Sequence, residues 1–191
     1  MLHTPTDALR DVFAWLERSS SADYIGEPVS QLEHALQCAH FARKAAASDE
    51  VVLGALLHDI GHLVAPAEAP QMDGLGVVAH EEIGARYVLE RGFSPTVAEL
   101  VRGHVQGKRY LTYKNESYGA RLSEASRRTL EFQGGAMTGR EAAEFERDPL
   151  FKEKVQVRKF DEAAKRTDLD VEPLAFYAPL ALRHLEHGGR R

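Results

Sequence analysis

The chain has 191 residues, of which 43% are hydrophobic and 28% charged, and its formal net charge at pH 7 is -5. This length suits one domain with a sizeable core, and the acidic balance disfavours general affinity for nucleic acid or an anionic membrane surface. The single cysteine, Cys38, excludes an internal disulfide, and the first ten residues lack the pattern of an export signal. We therefore expect one cytoplasmic domain over residues 1–191, with no nucleic-acid partner and no membrane partner.

Apolar residues recur with helical spacing along most of the chain, beginning in residues 9–16. A second helix is predicted over residues 31–47. A third is predicted to start at Asp49, as its N-cap, and to run into the segment LLHDIGH at residues 56–62. Because the third helix is apolar nearly all round, we expect it to be central.

Later boundaries are marked by capping residues. Gly92 is expected to end one helix, and Ser94 followed by Pro95 is expected to begin the next. Thr138 with Glu141 three residues later predicts a capping box. No alternation of period two appears, so the sequence predicts an all-α bundle of about seven or eight helices.

Two loops interrupt this pattern, at residues 19–30 and 64–77, and both are rich in small residues, proline or glycine. Each of them flanks a helix that carries histidine. Most loops of this composition are plain surface connections, but these two are also positioned to line a site.

The histidines give the first indication of a metal site. Five lie in or at the edge of predicted helices: His34, His58, His62, His80 and His104. His58 is followed by Asp59, and adjacent side chains on a helix point about 100° apart, so they share a metal only if other helices supply ligands. Imidazole and carboxylate together suit iron, manganese or zinc, and we expect no thiolate in the set to narrow the choice.

The order His34, His58–Asp59 and a distant Asp161 is typical of one family of helical proteins. The chain resembles the HD-domain superfamily of all-α metal-dependent phosphohydrolases and oxygenases. The resemblance implies a single HD domain with a metal site built from these four residues. His80 and His104 match the positions where the two-metal branches carry a second pair of ligands, with Asp59 as the bridge.

Within that superfamily the chain is similar to the PhnZ-type mixed-valent di-iron oxygenases, the 2-amino-1-hydroxyethylphosphonate dioxygenase branch. The segments that carry the likeness are DYIGE, QLEHALQCA, ALLHDIGH, MDGLGV, GHVQGKRYL and SEASRRTLEFQGG. The nucleotide-signalling branch usually has lysine where His62 stands, which disfavours that branch. The resemblance implies two iron ions, Fe(II) and Fe(III), with O2 as co-substrate.

The implied reaction cleaves the carbon–phosphorus bond of a small organophosphonate. The substrate is 1-hydroxy-2-aminoethylphosphonate or an N-methylated analogue, and the products are phosphate and glycine or a glycine betaine-type amino acid. Tyr24 and Glu27 match the lid of this branch. Tyr24 is expected to occupy an iron position until substrate displaces it, and Glu27 to offer its carboxylate to the substrate amine. Glu27 suits a primary or a methylated ammonium group equally, so it does not distinguish between the two substrates.

The resemblance also implies a phosphonate pocket. Its residues are His62, Lys108, Ser126 and Arg158, with Thr129 and Gln133 as weaker additions. Tyr24, Glu27, His62 and Lys108 are expected to act in catalysis. Lys108 follows His104 by four residues and Arg158 precedes Asp161 by three, so each shares a helical face with a metal ligand. Arginine can hold two phosphonate oxygens at once.

A hydrolase is the alternative from another reaction class. The same paired metals would activate water against a nucleotide or a phosphate ester, without redox chemistry and without a lid tyrosine. The third reading is a metal-stabilised binding module without turnover. In such a module the complete set of metal ligands would have no catalytic role. Tyr24 with Glu27, and dependence on O2, distinguish the oxygenase. The helical surface pattern suits a monomer and an oligomer equally.

Overall fold

The structure is a computed structural model that describes residues 4–22, 24 and 26–187. This part of the chain forms eleven α-helices and a short 3-10 turn at Ser19–Ser21, with no β-sheet, so the predicted all-α fold is confirmed. The helices are α1 (Pro5–Arg18), α2 (Gln31–Lys44), α3 (Asp49–Leu57), α4 (Ile60–Val64), α5 (His80–Glu90), α6 (Pro95–Lys114), α7 (Glu116–Arg121), α8 (Glu124–Phe132), α9 (Gly139–Phe145), α10 (Phe151–Ala163) and α11 (Leu174–His187).

The predicted number of seven or eight helices was wrong. Three of the additional helices, α4, α7 and α9, have only five to seven residues, too few to give a periodic apolar pattern. One of them arises because the predicted helix over residues 49–62 breaks in two. Asp59 has φ −100° and ψ 8°, outside the helical values, and α4 starts at the next residue.

Helix α3 lies at the centre of the bundle, as its composition predicted. All seven residues from Val51 to Leu57 are buried, and α3 packs against α2, α6, α10 and α11. Its N-cap is Ser48, whose side chain accepts a hydrogen bond from the backbone N–H of Val51. The assignment of Asp49 as the N-cap was therefore wrong by one residue, since both residue types serve as caps.

Two glycines allow helices to approach closely beside the histidines. A methyl group on Gly61 would lie 1.9 Å from the carbonyl oxygen of His80, so only glycine lets α4 lie against the first turn of α5. A methyl group on Gly107 would lie 2.9 Å from Cβ of Arg158, where α6 crosses α10. Both contacts bring candidate site residues towards α3.

Helix α2 starts where predicted but ends at Lys44 instead of residue 47, whereas the later boundaries predicted from capping residues are observed. The Ser94 side chain accepts from the backbone N–H of Val97 with Pro95 at the first helical position, and Gly92 adopts φ 90°. Thr138 and Glu141 form both hydrogen bonds of a capping box. Among the helices that the structure describes, none has both the length and the apolar character needed to span a membrane.

Candidate metal centre and adjoining pocket

Six candidate ligands converge from five parts of the bundle. They are His34 on α2, His58 and Asp59 at the break between α3 and α4, His80 at the start of α5, His104 in the middle of α6, and Asp161 on α10. The most exposed of these side chains is Asp59, at 17%. Because Asp59 lies at a helix break, its carboxylate turns away from the axis of α3 and into the space between the helices.

The first group of donor atoms surrounds one point between α2, α3 and α10. His34 Nε2 lies 3.2 Å from His58 Nε2 and 3.3 Å from Asp161 Oδ1. Asp59 Oδ2 lies 3.2 Å from His58 Nε2. Ligands bound to one ion at about 2.0–2.2 Å lie roughly 3 Å apart, so these separations suit a shared metal.

The second group uses the other oxygen of Asp59. His80 Nε2 and His104 Nε2 lie 3.0 Å apart, and they lie 3.3 Å and 3.4 Å from Asp59 Oδ1. Asp59 therefore presents one carboxylate oxygen to each group of histidines. This is the arrangement that a carboxylate bridging two metals requires.

The second ring nitrogen of each of these four histidines faces a backbone carbonyl. The Nδ1 to oxygen distances are 2.8 Å for His34 and Ala164, 2.8 Å for His58 and Ala55, 3.3 Å for His80 and Val77, and 2.7 Å for His104 and Val101. A carbonyl accepts only, so each Nδ1 carries the hydrogen. In its neutral form each ring therefore presents the lone pair of Nε2 to the centre, as a metal ligand does.

The carboxylates leave negative charge that a cation would neutralise. Asp161 Oδ1 is buried without a hydrogen-bond partner, while Oδ2 accepts from Arg158. Burial opposes ionisation of Asp161 and of Asp59, but the surrounding groups, led by Arg158 for Asp161 and by His58 for Asp59, together outweigh it and hold the pKa of each carboxyl well below its usual range. Burial lowers the pKa of His58, but Asp59, Asp161 and the carbonyl of Ala55 together raise it to about 9, so a metal would displace a proton there.

A thiol lies beside the first group, contrary to our expectation. Cys38 Sγ is 3.8 Å from His34 Nε2, and with His34 and His58 it forms a group whose donor atoms all lie within 4.8 Å of one another. Burial raises the pKa of this thiol, and the nearby Asp161 and Asp59 raise it further. The spacing of four residues from His34 on α2 was the sequence signal that could have revealed it.

A pocket of about 500 Å³ opens onto the metal centre. All eight candidate substrate residues line it, namely Tyr24, Glu27, His62, Lys108, Ser126, Thr129, Gln133 and Arg158. Asp59, His80, His104 and Asp161 form its floor, whereas His34 and His58 lie behind them with no exposed surface. Met72 and Leu75 also line the pocket, from the loop over residues 64–77 that the sequence analysis expected to lie at a site, and so does Ala125, which was not singled out there.

His62 is held as a hydrogen-bond donor. Its ring stacks on His80 with centroids 3.9 Å apart, and its Nδ1 accepts from the backbone N–H of Val77 at 3.0 Å. Burial, and then repulsion from His80, hold the pKa of His62 well below its usual range, so the ring stays neutral. The hydrogen of a neutral ring whose Nδ1 accepts must be on Nε2.

Two buried cations flank the pocket. Lys108 Nζ donates to Thr129 Oγ1 at 2.9 Å and to the carbonyl oxygen of Ser126 at 3.3 Å. Burial, and then the charge of Arg158, lower the pKa of Lys108 to about 7. The guanidinium of Arg158 is held by Tyr118, whose hydroxyl accepts from Nε at 2.7 Å, and by Asp161 and Glu162.

The loop before α2 closes over the first group. The Tyr24 ring stacks on His34 with centroids 3.8 Å apart, and the backbone N–H of Glu27 donates to the carbonyl of Tyr24 at 2.7 Å. Burial raises the pKa of the Tyr24 phenol well above its usual value, and Asp59 and Asp161 add to this. Glu27 Oε1 lies 2.9 Å from Lys165 Nζ, which also donates to Ser126 Oγ at 3.0 Å.

Lys165 is the charged residue that sequence reasoning missed. It follows Asp161 by four residues, but α10 ends at Ala163, so helical spacing gives no information about where its side chain lies. It pairs with Glu27 across the fold, and its preceding residue, Ala164, holds His34 through the carbonyl oxygen. Residues 164 and 165 thus connect a candidate metal ligand to the lid loop.

Comparisons with known proteins identify the family of this chain and several of its relatives. Residues 32–133 match the family model described as "HD domain". The chain is 42% identical over 170 residues to a [1-hydroxy-2-(trimethylamino)ethyl]phosphonate dioxygenase (glycine-betaine-forming) from Leisingera caerulea, covering 89% of this chain and 86% of the relative. It is 40% identical over 185 residues to a hydroxymethylphosphonate dioxygenase from Gimesia maris, covering 96% and 91%. A protein of Acanthamoeba polyphaga mimivirus, described as uncharacterised, is 39% identical over 170 residues, covering 88% and 78%.

Proposed function

The chain belongs to the HD domain family, and we propose that it is a dioxygenase that uses two iron ions and O2 to cleave the carbon–phosphorus bond of a 1-hydroxyphosphonate. The observation that carries this proposal is the position of Asp59. Its two oxygens face two separate groups of histidines, on the floor of a pocket that also contains Lys108 and Arg158. The names of two relatives, both phosphonate dioxygenases, support it.

The donor set fits a pair of iron ions. His34, His58 and Asp161 would hold one ion, His80 and His104 the other, and Asp59 would bridge them. All the donors in this assignment are imidazole nitrogens or carboxylate oxygens, which suit iron. When bound, the Fe(II)/Fe(III) pair supplies the one-electron chemistry by which O2 is activated.

The protein's own part is to bind and orient the substrate. A phosphonate carries up to two negative charges, and Lys108, Arg158 and the Nε2–H of His62 supply donors to its oxygens. Ser126 and Thr129 add hydroxyl groups on the same wall, and Gln133 has a buried side-chain oxygen without a partner. These contacts would hold the C1 hydroxyl and C1 hydrogen over Asp59.

The reaction balances with O2 as the sole co-substrate. The C1–H and C1–P bonds break, O2 is reduced, and the products are a carboxylic acid and inorganic phosphate. Tyr24 lies over the first group of ligands and must leave as substrate enters. A neutral phenol can return to this buried position at less cost than a phenolate, because no charge has to be desolvated on return.

For the substrate we propose 1-hydroxy-2-aminoethylphosphonate or its N-methylated analogue, giving glycine or a glycine betaine-type product. Glu27 is the carboxylate in the pocket that is available to an ammonium group, once its pairing with Lys165 is exchanged. The relative from Leisingera caerulea is named for a trimethylamino substrate, and the relative from Gimesia maris for a substrate with no amine.

The test compares phosphate release from four compounds by iron-loaded protein, in air and without oxygen. The compounds are 1-hydroxy-2-aminoethylphosphonate, its trimethylated analogue, hydroxymethylphosphonate and a phosphate monoester. The proposal expects release in air from an amine-bearing phosphonate, and no release without oxygen. Anaerobic release from the monoester alone would instead identify a metal-dependent phosphohydrolase.

A further inference from the structure

A second cleft reaches Asp59 from between α1, α2 and α4, separate from the substrate pocket. Its aliphatic walls are Leu16, Ala35, Leu56, Ile60 and Leu63. Counting the space open to solvent it measures about 240 Å³, roughly half that of the main pocket, and the space that it encloses is about 10 Å³, enough for one molecule of about the size of water. The cleft therefore has room for a molecule smaller than the proposed phosphonate.

The two cavities meet at two residues. Tyr24 and Asp59 line both the aliphatic cleft and the substrate pocket. The Tyr24 ring, stacked on His34, thus forms the partition between them. Once Tyr24 moves aside, the aliphatic cleft opens directly onto the bridging carboxylate of the candidate metal centre.

The residues that line the cleft determine which molecule it can bind. Among the residues that the structure describes, Gln31 is the one polar residue that lines the cleft apart from Asp59 and Tyr24, and none of them offers a cation to a phosphonate. Cavities lined by aliphatic side chains exclude water and take up small apolar molecules. Of the two reactants in the proposed reaction, only O2 is small and apolar.

We propose that this cleft is the docking site through which O2 reaches the metal centre. The inference rests on the proposed function, since it names the route of that reaction's co-substrate. Substrate enters through the polar pocket and blocks it, so a gas that arrives afterwards requires a separate path. The aliphatic cleft supplies that path and ends beside Asp59 and Tyr24.

The direct test requires neither iron nor turnover. Dissolved O2 is paramagnetic and increases the relaxation rate of methyl groups close to it, which methyl NMR of the metal-free protein under oxygen pressure detects. We expect stronger enhancement for Leu56 and Ile60 than for the equally buried Leu53 and Leu100, which lie away from the cleft. Equal or weaker enhancement at the cleft methyl groups would overturn the proposal.

A second test uses the active enzyme and separates this inference from the proposed function. Leu63→Phe should narrow the cleft and raise KM for O2 several-fold, with KM for the phosphonate unchanged. Leu32→Phe is the matched control, because Leu32 is also a partly buried leucine packed on the same core but lies outside the cleft. An active enzyme whose KM for O2 is unchanged by Leu63→Phe contradicts the docking site alone. Absence of oxygen-dependent activity in the unmodified protein contradicts the proposed function, and the docking site with it.

Discussion

His62 and His80 lie face to face with ring centroids 3.9 Å apart, and the backbone of Val77 gives them opposite tautomers. The N–H of Val77 donates to Nδ1 of His62, while its carbonyl oxygen faces Nδ1 of His80. One peptide segment thereby makes His80 a lone-pair donor towards the metal centre and His62 an N–H donor towards the pocket.

His62→Phe keeps a ring against His80 but removes the Nε2–H. We expect KM for the phosphonate to rise about tenfold, since a hydrogen bond to a charged group contributes roughly 1.5 kcal/mol or more. The iron content should stay unchanged, because His62 is outside the ligand set. Steady-state kinetics and metal analysis on the same preparation check both, and loss of iron would show that His62 is a ligand.

Lys108→Met removes a buried cation whose pKa is about 7 in the folded protein and 10.5 unperturbed. The cost of burying this charge is fully present below pH 7 and disappears as the pH rises above 10.5. The free energy of unfolding of the metal-free protein should therefore rise in the variant, and by more at pH 6 than at pH 9. Denaturant unfolding at the two pH values measures this.

The same substitution should weaken substrate binding. Removing a charge-assisted donor to the phosphonate should raise KM about tenfold or more without changing the iron content. Lys159→Met, on the exposed face of α10, is the control for loss of a lysine. An unchanged KM in the Lys108 variant would place the phosphonate elsewhere.

Lys165→Met should separate amine-bearing substrates from those without an amine. Lys165 competes with a substrate ammonium group for Glu27, so its removal should lower KM for 1-hydroxy-2-aminoethylphosphonate. KM for hydroxymethylphosphonate, which has no ammonium, should not fall. A parallel change for both compounds would mean that Lys165 acts only through Ser126, to which it also donates.

Gly61→Ala should disrupt the second group of ligands. The added methyl group would lie 1.9 Å from the carbonyl oxygen of His80, so α4 and α5 must separate. We expect a loss of about 3 kcal/mol in unfolding free energy, typical of severe overpacking, and fewer than two irons bound per chain. Gly119→Ala is the control, since its methyl group would contact only the Thr112 side chain, at 3.3 Å. Normal stability and iron content in the Gly61 variant would contradict this account of the α4–α5 contact.

The sequence predicted α1 and α2 from their apolar periodicity, and the start of α6 from Ser94 and Pro95. It missed the break at Asp59, because both flanking segments are apolar and helical and only packing bends the chain there. The six candidate ligands followed from the family resemblance. Lys165 was not identified, because its position depends on how the segment after α10 folds back against the lid loop.

The consumption of O2 measured together with phosphate release tests the central claim most directly. Iron-loaded protein supplied with the preferred phosphonate should consume one O2 for each phosphate, as the balanced reaction requires, and Asp59→Asn should lose both activities together. Phosphate release at an unchanged rate after oxygen is removed would contradict the oxygenase and assign the metals bridged by Asp59 to hydrolysis.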